Sequence, residues 1–184
     1  MCNHKRSCGD VAAARADMGR RDFIRLATLG AGAALFMSVA PKVRAGGHAK
    51  ALMLSCMDYR LVDDLVTFMN GKGLKDDYDH VVLAGASLGV VSDKFADWHK
   101  TFWEHLDVAI KLHHVEEVVV IDHRDCGAYK LALGEDAVST PAKETEAHTR
   151  TLADFARQVR EHHPDLKVEA YLMSLNGHTE AVAA

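Results

Sequence analysis

The sequence predicts an α/β fold, a single domain with a mainly parallel central β-sheet flanked by helices. Short apolar runs of strand length alternate with longer segments in which apolar residues recur every three or four positions. Continuous apolar runs are typical of strands buried on both faces, and their alternation with helices is typical of parallel sheets. Ligands of such sheets bind beyond the carboxyl ends of the strands, so we look for a functional site there.

The first half of the domain contains two predicted strands and two predicted helices. The run ALML begins the first strand, which ends at Ser55. A helical stripe follows and ends at the turn signal NGKG, its apolar positions being Leu61, Leu65, Phe68 and Met69. Residues 81–83 predict the second strand, which leads into AGASLG. The second helical stripe consists of Phe95, Trp98, Phe102, Leu106, Ala109 and Ile110.

In the second half of the domain, predicted strands again alternate with predicted helices. Residues 118–121, VVVI, predict the third strand, and a short helix is expected to begin near Cys126. Thr140 followed by Pro141 is typical of an N-cap and the first turn of a longer helix. That helix carries apolar residues on one face, namely Leu152, Phe155 and Val159. Residues 168–172 predict the last strand.

The first 45 residues differ from the rest of the chain and resemble a twin-arginine export signal. Arg20 and Arg21 precede Phe23, a Gly/Ala-rich apolar run follows, and VRA at 43–45 offers small residues for cleavage. Gly19 stands where this signal usually has Ser or Thr. The apolar run is shorter than the roughly 20 residues of a spanning helix. We therefore predict a twin-arginine-type signal peptide over 1–45, cleaved near Ala45, and a periplasmic protein; an ordinary secretory signal or an uncleaved anchor is the alternative.

Residues 46–184 then form the functional domain, whose length suits one compact domain with a core. This part has 14 basic and 23 acidic residues, a net charge of −9, whereas the whole chain has a net charge of −4. An acidic domain has no evident affinity for nucleic acid or for an anionic membrane surface. We expect a small-molecule substrate, no nucleic-acid partner, and contact with the export machinery through the signal.

The cysteines point to a metal. Cys2 and Cys8 lie in the predicted signal, so only Cys56 and Cys126 remain, the first just after the first strand and the second just after the third. Two cysteines in an oxidising compartment often form a disulfide, which leaves a thiol protein as one hypothesis. His123, three residues before Cys126, instead completes a Cys₂His set suited to zinc, and three protein ligands leave a fourth position open for catalysis.

Asp58 and Arg60 follow Cys56 closely and allow two arrangements. Asp58 could be a fourth metal ligand and close the site. It could instead pair with Arg60, because a guanidinium fork matches a carboxylate, and the pair would hold Asp58 off the metal.

Together these residues carry a family resemblance. Cys-x-Asp-x-Arg at 56–60, followed by His-x-x-Cys-Gly at 123–127, is similar in order and spacing to the β-class carbonic anhydrases over about residues 50–175. The resemblance implies a zinc enzyme of parallel-sheet fold that reversibly hydrates CO₂ to bicarbonate with a zinc-bound hydroxide, and that assembles as a homodimer or larger homo-oligomer. It also implies that Cys56, His123 and Cys126 bind zinc while Asp58 and Arg60 form the catalytic dyad.

The sequence departs from that family in three places. Asp122 precedes His123 where the family usually has Gly, and adds a carboxylate near the site. Ala84-Gly85 lacks the Arg-Asn that commonly precedes this pair. Few residues separate the predicted cleavage site from Cys56, so the helical arm that often embraces a partner is missing. We expect Tyr59 and Ser87 to line the pocket.

Three further hypotheses remain open from the sequence. The same zinc site could hydrolyse COS or CS₂, since pocket width rather than ligand spacing selects among these linear molecules. The domain could be a non-catalytic zinc-binding module. The third hypothesis is the thiol protein with a Cys56–Cys126 disulfide, which leaves His123 and Asp58 unexplained.

Overall fold

The computed structural model of the protein describes residues 47–183, which lie within the compact unit Gly46–Ala184. The predicted signal peptide, including Cys2 and Cys8, lies outside the described residues. Among residues 47–183, no helix combines the length and the apolar character that crossing a membrane requires.

Five strands form a single sheet in the part of the chain that the structure describes. They are β1 (Ala51–Ser55), β2 (Tyr78–Val82), β3 (Glu117–His123), β4 (Lys167–Met173) and β5 (Thr179–Val182). Their order across the sheet is β2-β1-β3-β4-β5. The first four strands pair in parallel, and β5 pairs antiparallel with β4. The mainly parallel sheet predicted from the sequence is therefore confirmed.

Within residues 47–183, five α-helices connect or flank these strands. They are α1 (Val62–Gly71), α2 (Ser87–Val91), α3 (Ala96–His113), α4 (Gly127–Leu133) and α5 (Pro141–His162). Short 3₁₀ turns precede or follow them at Tyr59–Leu61, Asp93–Phe95 and Glu135–Val138. The start of α5 is the predicted one, because the Thr140 side chain accepts a hydrogen bond from the Lys143 N–H and Pro141 occupies the first turn.

Both faces of the sheet are covered, which explains why β1 and β3 are buried along their whole lengths. Helices α3 and α5 cover one face with buried side chains, the largest of which are Phe102, Leu106, Leu152 and Phe155. Helix α1 covers the other face and packs on alternate residues of the same strands. The residues of that second core include Met53, Leu65, Met69, Val119 and Ile121.

The structure corrects two details of the predicted elements and adds a short helix. The second strand spans Tyr78–Val82 rather than 81–83, because as an edge strand it needs only one paired side and tolerates polar residues. The strand at 168–172 is not the last, since the partly exposed β5 adds an antiparallel edge. Helix α2, which was not predicted from the sequence, begins within AGASLG at Ser87.

The topology brings two strand ends together. Strands β1 and β3 are parallel neighbours, and Ser55 pairs with Ile121 in their register. Cys56 directly follows β1, and His123 is the last residue of β3. The two side chains therefore meet at the carboxyl edge of the sheet, where the sequence predicted the site.

Candidate metal centre

Three potential metal ligands converge at this edge. Cys56 comes from the end of β1, His123 from the end of β3, and Cys126 from the residue before α4. One ligand atom of each residue lies within 4.8 Å of the others, and the Cys56 and Cys126 sulfurs are 4.0 Å apart. Within residues 47–183 this is the one group of three His, Cys, Asp or Glu side chains close enough to hold a metal ion together.

The spacing and the state of the side chains fit zinc. Two Zn–S bonds of about 2.3 Å meeting at a tetrahedral angle place their sulfurs about 3.8 Å apart, close to the separation found here. The Nδ1 of His123 donates to the Arg124 carbonyl oxygen at 2.8 Å, which leaves the lone pair on Nε2. That Nε2 is buried and has no hydrogen-bond partner among the described residues, as a ligand nitrogen requires.

The two thiols differ in their ionisation. Contact with Cys126 lowers the pKa of Cys56 to about 4 against the effect of burial, and His123 and the Gly85 amide act in the same direction. The neighbouring Cys56 sulfur and burial raise the pKa of Cys126, against the amides of Tyr129 and Ala128. The pair thus loses its first proton easily and retains the second, because two adjacent anions repel each other. A divalent cation would remove that penalty and hold both as thiolates.

His123 shares this electrostatic environment. Burial alone would lower the pKa of its imidazole, but the Cys56 sulfur, the Arg124 carbonyl oxygen and the Asp58 carboxylate together outweigh burial and raise it. The side chain is only 2 % exposed, so solvent contributes little to its stabilisation. Without metal, the contact between Cys56 and His123 favours a thiolate beside an imidazolium. With metal bound, the same two side chains would act as ligands.

A backbone amide completes the environment of Cys56. The Gly85 N–H donates to the Cys56 sulfur at 3.3 Å. Gly85 has φ +80°, and a Cβ there would lie 3.1 Å from the Ala128 Cβ and 3.2 Å from the Leu88 Cβ. Both the backbone conformation and the tight packing require glycine at this position.

Asp58 is paired with Arg60 at the rim of the site. The Arg60 Nε and Nη2 donate to the two carboxylate oxygens at 2.9 and 2.7 Å, and its backbone N–H donates to Oδ1 at 3.0 Å. These bonds lower the pKa of Asp58 to about 2. The Oδ2 atom also lies 3.8 Å from the His123 Nε2, so the ionised carboxylate faces the ligand cluster without being drawn away from Arg60.

Arg60 has a second acidic partner that the sequence did not suggest. Its Nη1 donates to the Asp125 Oδ2 at 3.0 Å, and Lys130 donates to the other Asp125 oxygen at 2.5 Å. Asp125 has φ +56°. Its backbone N–H donates a hydrogen bond to the Glu144 carboxylate at 2.6 Å. Arg60 is thus fixed between two carboxylates, one on each ligand-bearing loop.

Cys56 and Cys126 line a surface cavity of about 460 Å³, whose wall also includes Met57, Arg60, Ala84 and Lys130. Tyr59 lines its mouth as expected from the sequence and is 85 % exposed. The expectation for Ser87 was wrong, because this residue is fully buried and bonded to Asp122. Asp122 is also buried, on the sheet face that carries Val118 and Val120, so its carboxylate does not enter the cavity.

Comparison with known proteins places these features in a family. A family model described as "Putative carbonic anhydrase" matches residues 47–183. A protein of Rickettsia bellii, described as uncharacterized, is 42 % identical over 135 residues, which cover 73 % of this chain and 82 % of that protein.

Two solved structures share the fold at low sequence identity. A carbonic anhydrase from Streptococcus mutans is 17 % identical, with a TM-score of 0.53 and coverage of 89 % of this chain and 96 % of its own. One of two tetrameric β-carbonic anhydrases from Sordaria macrospora is 15 % identical, with a TM-score of 0.54 and coverage of 88 % and 94 %.

Proposed function

The chain belongs to the "Putative carbonic anhydrase" family, and from this premise we propose that it catalyses the reversible hydration of CO₂ to bicarbonate in a zinc-dependent reaction. The proposed ligands are Cys56, His123 and Cys126. Asp58 and Arg60 are the proposed catalytic pair.

The proposal is based on the ligand cluster and the Asp58–Arg60 pair beside it. Three ligand atoms of the kinds that zinc prefers lie within 4.8 Å of one another, and an ionised carboxylate held by Arg60 stands beside them. A purely structural zinc site closes its coordination with four protein ligands. Here Asp58 is engaged by Arg60, which supports an open fourth position facing the cavity.

The roles of the residues follow from their contacts. When bound, zinc supplies a Lewis acid that lowers the pKa of a coordinated water towards neutrality. Asp58 accepts a hydrogen bond from the attacking water and so directs its lone pair towards CO₂. With a pKa of about 2, Asp58 is a weak base, so it orients the nucleophile without taking its proton. Arg60 fixes the direction of the carboxylate through its two-pronged contact.

The test measures CO₂ hydration by stopped flow with the full chain, first stripped of metal and then titrated with zinc. Activity that rises with bound zinc and saturates at one zinc per chain is the expected result. Zinc binding without hydration would overturn the proposal in favour of COS or CS₂ hydrolysis, assayed on the same samples, or of a non-catalytic zinc module. A chain that takes up no zinc and contains a Cys56–Cys126 disulfide would be a thiol protein.

We further propose that the protein acts as a homo-oligomer. Met57 and Tyr59, at the mouth of the cavity, are 68 % and 85 % exposed, an apolar surface that a second copy could cover. The Sordaria macrospora proteins of similar fold are described as tetrameric, which supports the proposal. Light scattering on the purified chain tests it, and a monomer at micromolar concentration would contradict it.

The proposed location is the periplasm, reached by the twin-arginine route. That route carries folded proteins, so zinc could be loaded in the reducing cytoplasm. Bound zinc would then prevent Cys56 and Cys126 from forming a disulfide in the oxidising compartment.

A further inference from the structure

We propose that Asp122 is a positioning residue for the metal centre. Its buried carboxylate bonds to the turn whose Gly85 amide contacts Cys56 and to the helix that follows Cys126, and Asp122 directly precedes His123. The inference rests on the proposed function only in requiring that these ligands bind a metal. It assigns a role to a residue that differs from the Gly expected by resemblance at this position.

The Asp122 carboxylate is the centre of a buried polar cluster. It accepts hydrogen bonds from the Ser87 N–H at 3.1 Å, the Ser87 hydroxyl at 2.7 Å, the Tyr129 hydroxyl at 2.5 Å and the His148 Nδ1 at 2.9 Å. All four residues are at most 1 % exposed. Four donors from three separate helices therefore converge on one side chain.

The bonds to Ser87 connect Asp122 to Cys56. Ser87 follows Ala86, which has φ +46° and ψ −107°, a conformation that normally takes glycine in a tight turn. Gly85, at the start of the same turn, donates its N–H to the Cys56 sulfur. Two hydrogen bonds from Asp122 thus hold a strained turn in the conformation that presents this amide to the ligand.

The other two ligands are connected more directly. Asp122 precedes His123 on β3, so fixing one side chain fixes the backbone of the other. Tyr129 lies one turn beyond Cys126 at the start of α4, and its hydroxyl bond to Asp122 anchors that helix against the sheet. His148 extends the anchor to α5, and its ring lies 3.7 Å from that of Tyr129.

The apolar surroundings of this cluster indicate a role beyond stabilising the fold. Val118 and Val120 occupy the same face of β3 and pack in an apolar core with Phe102 and Phe155. Apolar side chains would serve the fold equally well at a buried position, because burying a charged network carries a desolvation penalty. The feature that the polar cluster adds is a directed set of contacts to the ligand-bearing segments.

The main variant for the test is Asp122→Asn in the full chain. An amide of the same shape keeps one acceptor oxygen and replaces the other with an NH₂ donor. The cluster therefore loses its acceptor either at the Ser87 N–H or at the Ser87 hydroxyl, Tyr129 and His148. Ser87→Ala removes only the hydrogen bond from the Ser87 hydroxyl. This variant is used for the test if Asp122→Asn does not fold. Val159→Ala is the matched control, since Val159 is fully buried on α5 but lies eleven residues from His148, about 16 Å along the helix.

Two readouts separate positioning from general destabilisation. Zinc affinity is measured by competition with a chromogenic chelator, and the thiolate-to-metal absorption of the cobalt-substituted protein reports the geometry at sulfur. We expect Asp122→Asn to weaken zinc binding about tenfold or more and to shift the cobalt absorption. Ser87→Ala should change both readouts in the same direction by less. Val159→Ala should lower the melting temperature and change neither readout.

The inference would be overturned if both Asp122→Asn and Ser87→Ala kept the zinc affinity and the cobalt absorption of the wild type. It would also be overturned if their changes were no larger than those of Val159→Ala. Neither readout depends on CO₂ hydration. A wild-type chain that binds zinc but does not hydrate CO₂ refutes the proposed function and leaves this result intact. A wild-type chain that binds no zinc overturns both proposals.

Discussion

Replacing Gly85 by alanine should damage both the stability of the fold and the affinity for metal. Gly85 is the point at which the fold contacts the Cys56 sulfur through a backbone amide. The matched control is Gly73→Ala, because Gly73 has nearly the same φ, +77° against +80°, but a Cβ at Gly73 would meet nothing within 4 Å.

The structure sets the size of each effect. Both substitutions place an L side chain in the left-handed region, at a cost of about 1–2 kcal/mol. Only Gly85→Ala also forces contacts of 3.1 and 3.2 Å with Ala128 and Leu88, an overpacking that costs about 1–3 kcal/mol more. The resulting backbone shift weakens the bond to Cys56, and a loss of about 1.5 kcal/mol from a hydrogen bond to a charged group lowers zinc affinity about tenfold.

Denaturant unfolding of the metal-free proteins measures the first effect, and chelator competition measures the second. Gly85→Ala should be less stable than Gly73→Ala by about 1–3 kcal/mol, and only Gly85→Ala should bind zinc more weakly than the wild type. Equal stability and equal zinc affinity in the two variants would refute the assignment of Gly85 to the environment of Cys56.

Three other predictions follow from the site and the N-terminus. Arg60→Ala should raise the pKa of Asp58 from about 2 towards its ordinary 3.8, as followed by carboxyl ¹³C NMR. A lowered pKa stabilises the fold only while the group is ionised, so the stability advantage of the wild type should shrink as pH falls from 3.8 towards 2; an unchanged pKa would contradict this. Cys126→Ser should abolish stoichiometric zinc binding, measured by metal analysis, and a variant that retains one zinc per chain would exclude Cys126 as a ligand. Changing Arg20 and Arg21 to Lys should block export in a fractionation assay, and undiminished export would contradict the twin-arginine assignment.

The ligand cluster could be anticipated from the sequence because its members lie at the ends of strongly apolar strands. The apolar runs before Cys56 and His123 are continuous and are buried in the structure, so both strands could be predicted, although β3 spans Glu117–His123 rather than 118–121. Since parallel neighbouring strands end at one edge, residues 67 positions apart along the chain were expected to meet there. The spacing of three between His123 and Cys126 then placed the third ligand at the same turn.

The contacts around the ligands could not be anticipated, because they join residues distant in the sequence. The bond between Arg60 and Asp125 spans 65 positions, and that between Ser87 and Asp122 spans 35. No local pattern distinguishes a buried Ser87 from one that lines a pocket. Strand β5 was missed for a different reason, since its four residues are exposed or only partly buried and carry no apolar run.

The proposed zinc-dependent hydration of CO₂ is tested most directly by measuring this reaction with the zinc-loaded full chain, with Asp58→Ala and Asp63→Ala measured beside the wild type. Asp63 is an exposed carboxylate on α1, five residues from Asp58 and outside the ligand cluster, so it controls for loss of negative charge. We expect rapid hydration by the wild type and by Asp63→Ala, and a loss of about 100-fold or more in Asp58→Ala with zinc still bound. Absence of hydration in the zinc-loaded wild type, or full activity in Asp58→Ala, would contradict the proposed function.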